Sequence, residues 1–468
     1  MIWKHLGFNR NIFFVEPLSP SSDDMRLFVG RDEEIKKYLV DVLSDDRALK
    51  VVAGDIGVGK TTFVNACQYY TYKSELPFTF KFKMPKILPC YEKIQIRETD
   101  TLDDLSIKTT ISICQSIAHH CRLQSIEIPE TVKGILSHFL DYSISTGGNG
   151  ISGGVNILGT GAQFGKTKDT KAPSPIKNTR IQLQKLIELI EKELNYKGIF
   201  VTVNNLDILP KKKLVDFLNT GRDELFNIKN IYWTLIGRKG IGSIIETEAD
   251  RVADYLSGTE SCISSFDYHI TKQIIDKRVE TYRRKSSIQC PLTDEAINAF
   301  HFLSVQEIRE TLHICGEITK MVLQIDPSFE VIPTEVAINT FIKYAYDRAK
   351  DIDLSDANIR VLTAVFQRKK CRPKDFEKFG YSTVQGFITA LKGLVGKRLL
   401  SIEEKGRARI YKMTGMTMIA AITGALGTEI QESAKEVIIQ KNGVILEDAQ
   451  TQFDNAQLEL QLDDTNNY

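Results

Sequence analysis

Apolar stretches that end in polar residues recur through the first half of the chain. Residues 48–53 read ALKVVA, which predicts a short buried strand, and FVNACQYY a few residues later predicts a helix. Residues 198–207 (GIFVTVNNLD) and 231–238 (IYWTLIGR) predict two more buried strands with polar ends. Residues 179–194 have the spacing of an amphipathic helix. Strands that alternate with helices predict an α/β fold.

The second half of the chain is mainly helical in spacing. Its apolar residues recur at i, i+3 and i+4 in several segments before a pair of short strands joined by a turn at Lys405 and Arg407. The predicted helices are 266–285, 359–368, 374–379 and 382–397, and the predicted strands are 399–402 and 409–413. Three helices followed by a hairpin, over residues 351–420, resemble a winged-helix module.

A glycine-rich stretch at residues 143–168 separates the first two strands. Eight glycines fall between Gly147 and Gly165, and alternating apolar residues there fit a loose hairpin. This hairpin could bind a partner or touch a membrane, and the alternative is a surface excursion without a binding role.

Length and composition set the class of protein. The 468 residues predict about three domains, and 42% hydrophobic with 26% charged residues is the mix of a soluble globular chain. The net charge of +1 hides an asymmetry: residues 361–412 hold 13 basic and 4 acidic residues, whereas residues 429–468 hold nine acids and two lysines. We therefore expect a basic module followed by an acidic, partly disordered tail over residues 421–468.

The cysteines and the chain ends indicate a compartment. Eight scattered cysteines include no CxxC pair, which disfavours a zinc cluster or a disulfide scaffold. The first 20 residues are too polar for a signal peptide, and residues 413–426 form too short an apolar run to span a bilayer. These features predict a reduced, cytoplasmic protein without a membrane span.

The strongest motif follows the first strand. Residues 54–62 read GDIGVGKTT, which is G-x-x-x-x-G-K-[ST] between a predicted strand and a predicted helix. In such a loop the backbone N–H groups and the helix N-terminus surround phosphates, the lysine reaches the outer phosphates, and the hydroxyl ligates Mg²⁺. The predicted binding residues for ATP or ADP are Gly54, Gly57, Gly59, Lys60, Thr61 and Thr62.

The strand at 198–207 resembles the Walker B strand of the AAA+ and STAND classes of P-loop ATPases. That pattern places an acid at the end of four apolar residues, but this chain has Asn204 and then Asn205, and only Asp207 matches. The resemblance implies Asp207 and Thr61 as metal ligands, with Asn204 near the reaction centre. An amide has no charge and cannot be a general base, so we expect nucleotide binding with slow hydrolysis.

Further motifs extend this resemblance over residues 28–325. Residues 28–35 (FVGRDEEI) resemble the segment that lies near adenine in the initiator-type group, which implies Gly30 and Arg31 as cofactor-binding residues. By the same resemblance, Arg238 is a sensor of the γ-phosphate and Arg309 stands at the sensor 2 position. A helix N-cap and exposed surface arginines are the alternative interpretations of these motifs. Candidate arginine fingers are Arg222 and Arg251.

The basic module has two interpretations. A charge of +9 over 52 residues favours contact with a nucleic-acid backbone, and the third helix would then enter a groove. In the resembled classes, however, a winged helix is often a structural lid or a protein-contact surface. Candidate phosphate contacts are Lys392, Lys405, Arg407 and Arg409.

Together these features predict an ATP-dependent switch. The expected fold is a three-layer α/β P-loop domain, an α-helical lid and a winged helix. Its expected action is ATP hydrolysis with Mg²⁺ coupled to DNA, to a partner protein or to a homo-oligomer, and the alternative is a weakly hydrolysing, nucleotide-bound scaffold. The predicted segments are an N-terminal segment (1–27), the ATPase core (28–260, with an insert at 143–175), the lid (261–350), the winged helix (351–420) and the tail (421–468).

Overall fold

The computed structural model describes seven stretches of the chain. For residues 139–145, 403–405 and 408, the description covers the main chain only. The described stretches are residues 2–74, 84–145, 179–304, 306–368, 370–405, 408–428 and 430–432. They divide into two compact units: residues 16–264 form one, and residues 1–15 together with 265–468 form the other. We call the first the sheet unit and the second the helical unit.

A parallel sheet forms the centre of the sheet unit. Its six strands have the order β2-β4-β5-β1-β6, with β3 also paired to β4. The strands are β1 (Leu49–Gly54), β2 (Leu88–Pro89), β3 (Ile94–Gln95), β4 (Ile199–Asn204), β5 (Ile231–Gly237) and β6 (Ser261–Ile263). Every residue of β1, β4 and β5 is buried, as expected for parallel strands covered on both faces.

Helices cover both faces of this sheet. In the described part of the unit they are α2 (Ser22–Met25), α3 (Asp32–Leu43), α4 (Lys60–Lys73), α5 (Leu102–Leu123), α6 (Glu130–Ser145), α7 (Thr179–Lys192), α8 (Lys211–Gly221), α9 (Ile241–Glu248) and α10 (Asp250–Ala253). Alternate residues of β1 and β4 point to opposite layers: Val51 and Val201 join the core formed with α5 and α7, whereas Thr202 bonds Gln68 of α4. The predicted three-layer α/β fold is therefore confirmed.

The helical unit contains the chain start and everything after residue 264. Its helices are α1 (Ile2–His5), α11 (Tyr268–Tyr282), α12 (Asp294–Leu303), α13 (Ile308–Ile325), α14 (Thr334–Ala349), α15 (Asp356–Arg368), α16 (Val384–Gly396) and α17 (Gly415–Ile422). Residues 1–15 belong to this unit through contacts such as the main-chain hydrogen bond from the N–H of Asn9 to the carbonyl of Tyr282 (2.9 Å). Among the described residues, no helix is long and apolar enough to cross a membrane.

Helices α15 and α16 and an antiparallel hairpin follow the order expected of a winged helix. The hairpin strands are β7 (Leu400–Lys405) and β8 (Ala408–Met413), and Cys371 adds an antiparallel bridge to Tyr411. The helix predicted at 374–379 is the 3₁₀ helix Pro373–Phe379 and not an α-helix, because Pro373 and the left-handed Gly380 confine it to a short run. These elements share one apolar core that includes Leu362, Leu391 and Leu400.

Some sequence-based expectations fall outside the described residues. Most of the glycine-rich stretch at 143–168 lies in the gap at 146–178, and most of the acidic tail lies beyond residue 432. The hairpin turn at 406–407 is also outside the described part of the chain.

Candidate nucleotide site

Three strand ends meet at one edge of the sheet. Strand β5 lies between β1 and β4, with Ala53 opposite Gly237 and Val203 opposite Leu235. Because the strands are parallel, the residues that follow them leave from the same edge. The glycine-rich loop, the segment after Asn204 and the segment after Gly237 are thereby neighbours.

The glycine-rich loop has the backbone shape that a phosphate cradle needs. Gly59 has a φ of 94° and directly precedes the first residue of α4. The main-chain N–H groups of the first helical turn therefore lie next to the loop. Gly54 is required for a different reason: a Cβ there would lie 2.4 Å from the main-chain oxygen of Ile263 in β6. The loop can therefore hold anionic oxygens with main-chain donors and the helix dipole.

Cationic side chains converge on this loop. The Nζ atom of Lys60 donates to the carbonyls of Gly54 (2.9 Å) and Asp55 (2.7 Å). Lys239, two residues after β5, forms an ion pair with the Asp55 carboxylate at 2.9 Å between Nζ and Oδ2. The loop therefore has one lysine from its own helix and a second from the neighbouring strand end.

The Arg31 side chain is buried and hydrogen-bonded to the glycine-rich loop. Its side chain is only 3% exposed, and its Nη2 donates to the carbonyls of Val58 (3.2 Å) and Ser264 (2.6 Å). Its Nη1 donates to Glu34 Oε1 at 3.1 Å. Burial lowers the pKa of Arg31, and the Glu34 carboxylate opposes that shift. This geometry fits a residue that positions the loop.

Asp207 and Arg238 form an ion pair beside the loop. The Nε of Arg238 lies 3.1 Å from Oδ2 of Asp207, which follows β4 in the short 3₁₀ turn Leu206–Ile208. The side chains are 57% and 24% exposed, so water screens the pair and its net contribution to stability is small, about 0–1 kcal/mol. A ligand with a competing charge can therefore separate the two groups.

The two asparagines differ in environment. Asn204 is 9% exposed, and its Oδ1 is buried without a hydrogen-bond partner. Asn205 has a left-handed backbone (φ 65°), and its Nδ2 donates to Gln95 Oε1 at 2.8 Å. The orphaned oxygen of Asn204 is a neutral acceptor at the strand end, whereas Asn205 is held by the neighbouring strand.

The donor set fits Mg²⁺ bound together with a phosphate group. Thr61 is the second residue of α4, next to Lys60, and Asp207 supplies a carboxylate at the neighbouring strand end. Within the described ranges, no group of three or more His, Cys, Asp or Glu side chains could hold a metal alone. Mg²⁺ commonly uses one or two protein ligands plus phosphate oxygens and water, which this edge could provide.

Other predicted residues have different surroundings. Thr62 accepts a hydrogen bond from the main-chain N–H of Leu18 at 3.3 Å, and Gly30 precedes Arg31 in a left-handed conformation (φ 79°). The two arginine-finger candidates come together: Arg222 (3.2 Å) and Arg251 (2.6 Å) both pair with Asp223. Arg309 is exposed in the first turn of α13, in the helical unit.

The candidate nucleic-acid residues lie in or beside the hairpin and α16. Lys392 is exposed on α16, and Arg409 is exposed on β8. Lys405 ends β7, and Arg407 lies outside the described residues. The outer face of α16 also exposes Gln385 and Thr389, so the described face is more polar than basic.

Some residues of the site carry no motif in the sequence. Lys239 and Asp55 pair across 184 positions, which no local pattern indicates. Lys50 is a charged residue inside a strand of otherwise apolar residues, and this exception is the sequence signal for a buried, hydrogen-bonded lysine. Its Nζ is fully buried and donates to Asp41 Oδ2 (2.5 Å) and to the carbonyls of Ser257 (2.9 Å) and Thr259 (2.7 Å).

Comparison with known proteins gives structural likenesses only. No protein-family model matches the sequence, and no curated protein matches it. The chain is similar to the Aeropyrum pernix ORC2 protein solved in ADPNP–ADP complexes, with 11% identity, a TM-score of 0.46 and coverage of 93% of this chain and 99% of that one.

Two further solved structures show a similar likeness. The Aeropyrum pernix ORC1 protein in complex with DNA is 11% identical, with a TM-score of 0.43 and coverage of 92% and 98%. The Walker-type ATPase PABY2304 of Pyrococcus abyssi is 14% identical, with a TM-score of 0.42 and coverage of 87% and 99%. The α/β assignment itself rests on the strand order and the phosphate-loop geometry.

Proposed function

We propose that the protein is an ATP-binding switch of the AAA+/STAND type with slow ATP hydrolysis. The observation that carries this proposal is the junction of two features at one sheet edge: a left-handed glycine loop that opens helix α4, and the Asp207–Arg238 ion pair beside it. A loop of this shape binds polyphosphates, and an ion pair that a phosphate can compete for gives the protein a charge-dependent response.

Each side chain has a proposed role at this edge. Lys60 exchanges its two main-chain acceptors for phosphate oxygens, since a charged acceptor forms the stronger hydrogen bond. Arg238 exchanges Asp207 for the γ-phosphate, which leaves the Asp207 carboxylate available with Thr61 for Mg²⁺. Mg²⁺, when bound, neutralises phosphate charge. Arg309 is proposed as a second sensor of nucleotide.

Hydrolysis is expected to be slow because the strand end lacks a general base. Asn204 stands where an acid is expected, and neither its amide nor that of Asn205 can take a proton from water. Asp207 can supply charge, but it is held by Arg238 at 3.1 Å. The catalytic set that we propose is Lys60, Asp207, Asn204 and Arg238.

A second candidate function is a nucleotide-bound scaffold that does not turn over ATP. The buried, unpartnered oxygen of Asn204 favours it, because an amide there can accept a hydrogen bond without activating water. In this case ATP would act as a structural or signalling ligand, and the output would be the binding of a partner protein or a second copy of the chain. Arg222 and Arg251 would then be interface residues.

The region 351–420 is proposed to bind a nucleic-acid backbone. Its support is the charge of residues 361–412 and the exposed positions of Lys392 and Arg409. Backbone contact is favoured over base readout because α16 exposes few long polar side chains. The region 261–350 is proposed as a lid that responds to nucleotide.

The decisive experiment is ATP turnover by the purified protein with Mg²⁺, with and without duplex DNA. For the switch, we expect that DNA stimulates ATP turnover and that Lys60→Ala abolishes it. Bound ATP without turnover in either condition would select the scaffold. Absence of nucleotide binding would overturn both.

DNA contact is tested separately by salt dependence. Lys392→Ala and Arg409→Ala should each weaken DNA binding similarly for different sequences and lower the salt slope by about 1. A full-strength salt slope in the double variant would rule out this surface.

A further inference from the structure

The chain passes between its two units twice, and both passages are short. The first connector is residues 15–17, and the second is residues 265–266. From Phe14 to Leu18 the backbone can extend at most about 14 Å, and from Ser264 to Asp267 about 11 Å. Connectors of this length limit how far the residues on either side of each connector can separate.

The sheet-unit end of the first connector is bonded to the phosphate-loop helix. The main-chain N–H of Leu18 donates to Thr62 Oγ1 at 3.3 Å, and the main-chain oxygen of Leu18 accepts from Asn65 Nδ2 at 2.5 Å. Thr62 and Asn65 lie in the first two turns of α4. Leu18 is 5% exposed and Asn65 is 2% exposed, so water competes weakly for these bonds.

The sheet-unit end of the second connector is bonded to the same loop through one side chain. Nη2 of Arg31 donates both to Val58, inside the glycine loop, and to Ser264, the last residue of the sheet unit. Because both carbonyls accept from the same nitrogen of one planar, rigid group, a shift of Val58 changes the geometry of the bond to Ser264.

In the helical unit, both connectors lead to helix α11. The second connector leads directly into α11, where the Asp267 side chain caps the helix by accepting from the N–H of Ile270 (2.9 Å). The first connector is preceded by Phe14, whose carbonyl accepts from Nη1 of the buried Arg278 in α11 at 2.7 Å. The guanidinium carbon of Arg278 lies 4.0 Å from the centroid of the Phe14 ring.

We infer that α11 receives the nucleotide state of the phosphate loop through these two connectors. Asn65 and Arg31 are the positioning residues on the loop side, and Arg278 is the positioning residue on α11. Phosphate binding orders the loop and α4, which stabilises the bonds to Leu18 and Ser264. The two connectors that lead to α11 then become more ordered. This inference rests on the proposed nucleotide binding and adds the path by which binding is communicated.

Amide hydrogen exchange of the wild-type protein tests the coupling. Addition of a non-hydrolysable ATP analogue with Mg²⁺ should slow exchange about fivefold or more at the Leu18 amide and in the peptide that covers residues 264–270. Analogue binding, followed separately by fluorescence, with unchanged exchange in both segments would overturn the coupling alone. Absence of analogue binding would overturn the proposed function, and the coupling with it.

Two variants of α4 locate the path. Asn65→Ala should bind the analogue within about threefold of wild type, yet the analogue should slow exchange at Leu18 less than in wild type, because only the Thr62 bond to Leu18 remains. Gln68→Ala is the matched control, since Gln68 is a buried amide on the same helix that donates instead to Thr202 Oγ1 (3.1 Å). A wild-type response in Asn65→Ala, or an equal loss in Gln68→Ala, would overturn the assignment to Asn65.

Discussion

The functional groups of the phosphate loop come from one continuous stretch of chain. The neighbouring ends of β4 and β5, which we call the corner (Asn204, Asp207 and Arg238), combine side chains from two different strands. In the loop, Gly59 and Lys60 are adjacent in sequence, and the main acceptors of Lys60 are main-chain oxygens of the same loop. In the corner, Asp207 and Arg238 are 31 positions apart and meet only because β4 and β5 are paired.

The difference shows where this site is robust and where it is adjustable. Main-chain donors persist through most substitutions, so the loop keeps its capacity for phosphate as long as its glycines remain. The corner depends on exposed, charged side chains whose mutual attraction is weak in water. We therefore expect substitutions in the loop to change binding and substitutions in the corner to change turnover and nucleotide preference.

Removal of the loop lysine should have the largest effect on nucleotide. Lys60→Ala deletes a charge-assisted hydrogen bond to phosphate, so the Kd for ATP should rise by about 30- to 150-fold, which corresponds to about 2–3 kcal/mol. Titration with a fluorescent ATP analogue measures this change. Lys73→Ala, at the other end of the same helix, is the control and should bind normally.

An acid at the corner should raise turnover by about tenfold or more in the presence of Mg²⁺. Asn204→Asp places a carboxylate where a buried amide oxygen lacks a partner, and that carboxylate can serve the metal or the attacking water. Without metal the same burial should destabilise the fold by about 1–3 kcal/mol. Steady-state phosphate release and urea unfolding measure the two effects.

The result for Asn204→Asp also tests the restraint on hydrolysis that both candidate functions place at this residue. A large gain would mean that the natural asparagine restrains hydrolysis. Unchanged turnover would mean that Asp207 already suffices, and it would contradict the view that the corner limits catalysis.

Loss of the sensor arginine should reduce nucleotide preference more modestly. Arg238→Gln cannot pair with Asp207 or a γ-phosphate, so the ratio of ADP to ATP dissociation constants should fall by about fivefold. Competition binding measures that ratio. Lys239→Gln removes the neighbouring charge that pairs with Asp55, and it should weaken both nucleotides together. Equal loss of preference in both variants would show that general charge, and not Arg238, sets the discrimination.

The buried lysine before the loop should affect stability with little effect on nucleotide. Lys50→Met removes a buried ammonium group that donates to two main-chain carbonyls, so we expect about 1–3 kcal/mol of destabilisation at neutral pH and less than about a threefold change in nucleotide Kd. Urea unfolding and analogue binding measure these quantities. Lys36→Met, an exposed site on α3, is the control.

The pH dependence of this variant has a definite sign. Burial lowers the pKa of Lys50, and the hydrogen bond to Asp41 opposes that shift. Between the lowered folded pKa and the ordinary value of about 10.4, the unfolded chain binds more protons, so the Lys50 contribution makes stability rise with pH. Lys50→Met should lose that rise, and an unchanged slope below the ordinary pKa of about 10.4 would contradict the assigned pKa direction.

Local patterns predicted much of the fold. Strands β1, β4 and β5 begin and end within one residue of the predicted stretches or their apolar parts, because buried parallel strands are continuous apolar runs. The helix predicted at 374–379 is present as a 3₁₀ helix, since a short run between Pro373 and Gly380 cannot support a regular α-helix. The bridge of Cys371 to Tyr411 has no signal in the sequence, because a single pair of residues produces no periodic pattern.

The phosphate loop follows from local sequence alone, because glycine conformations, the helix start and the lysine all lie within a few bonds of one another. Three other features depend on the folded arrangement: Arg31 donates to Val58 and Ser264, Arg238 pairs with Asp207, and residues 1–15 join the helical unit. Those contacts join residues far apart in the chain. Their formation depends on which strands pair and which faces are buried, and therefore on the packing of the whole fold.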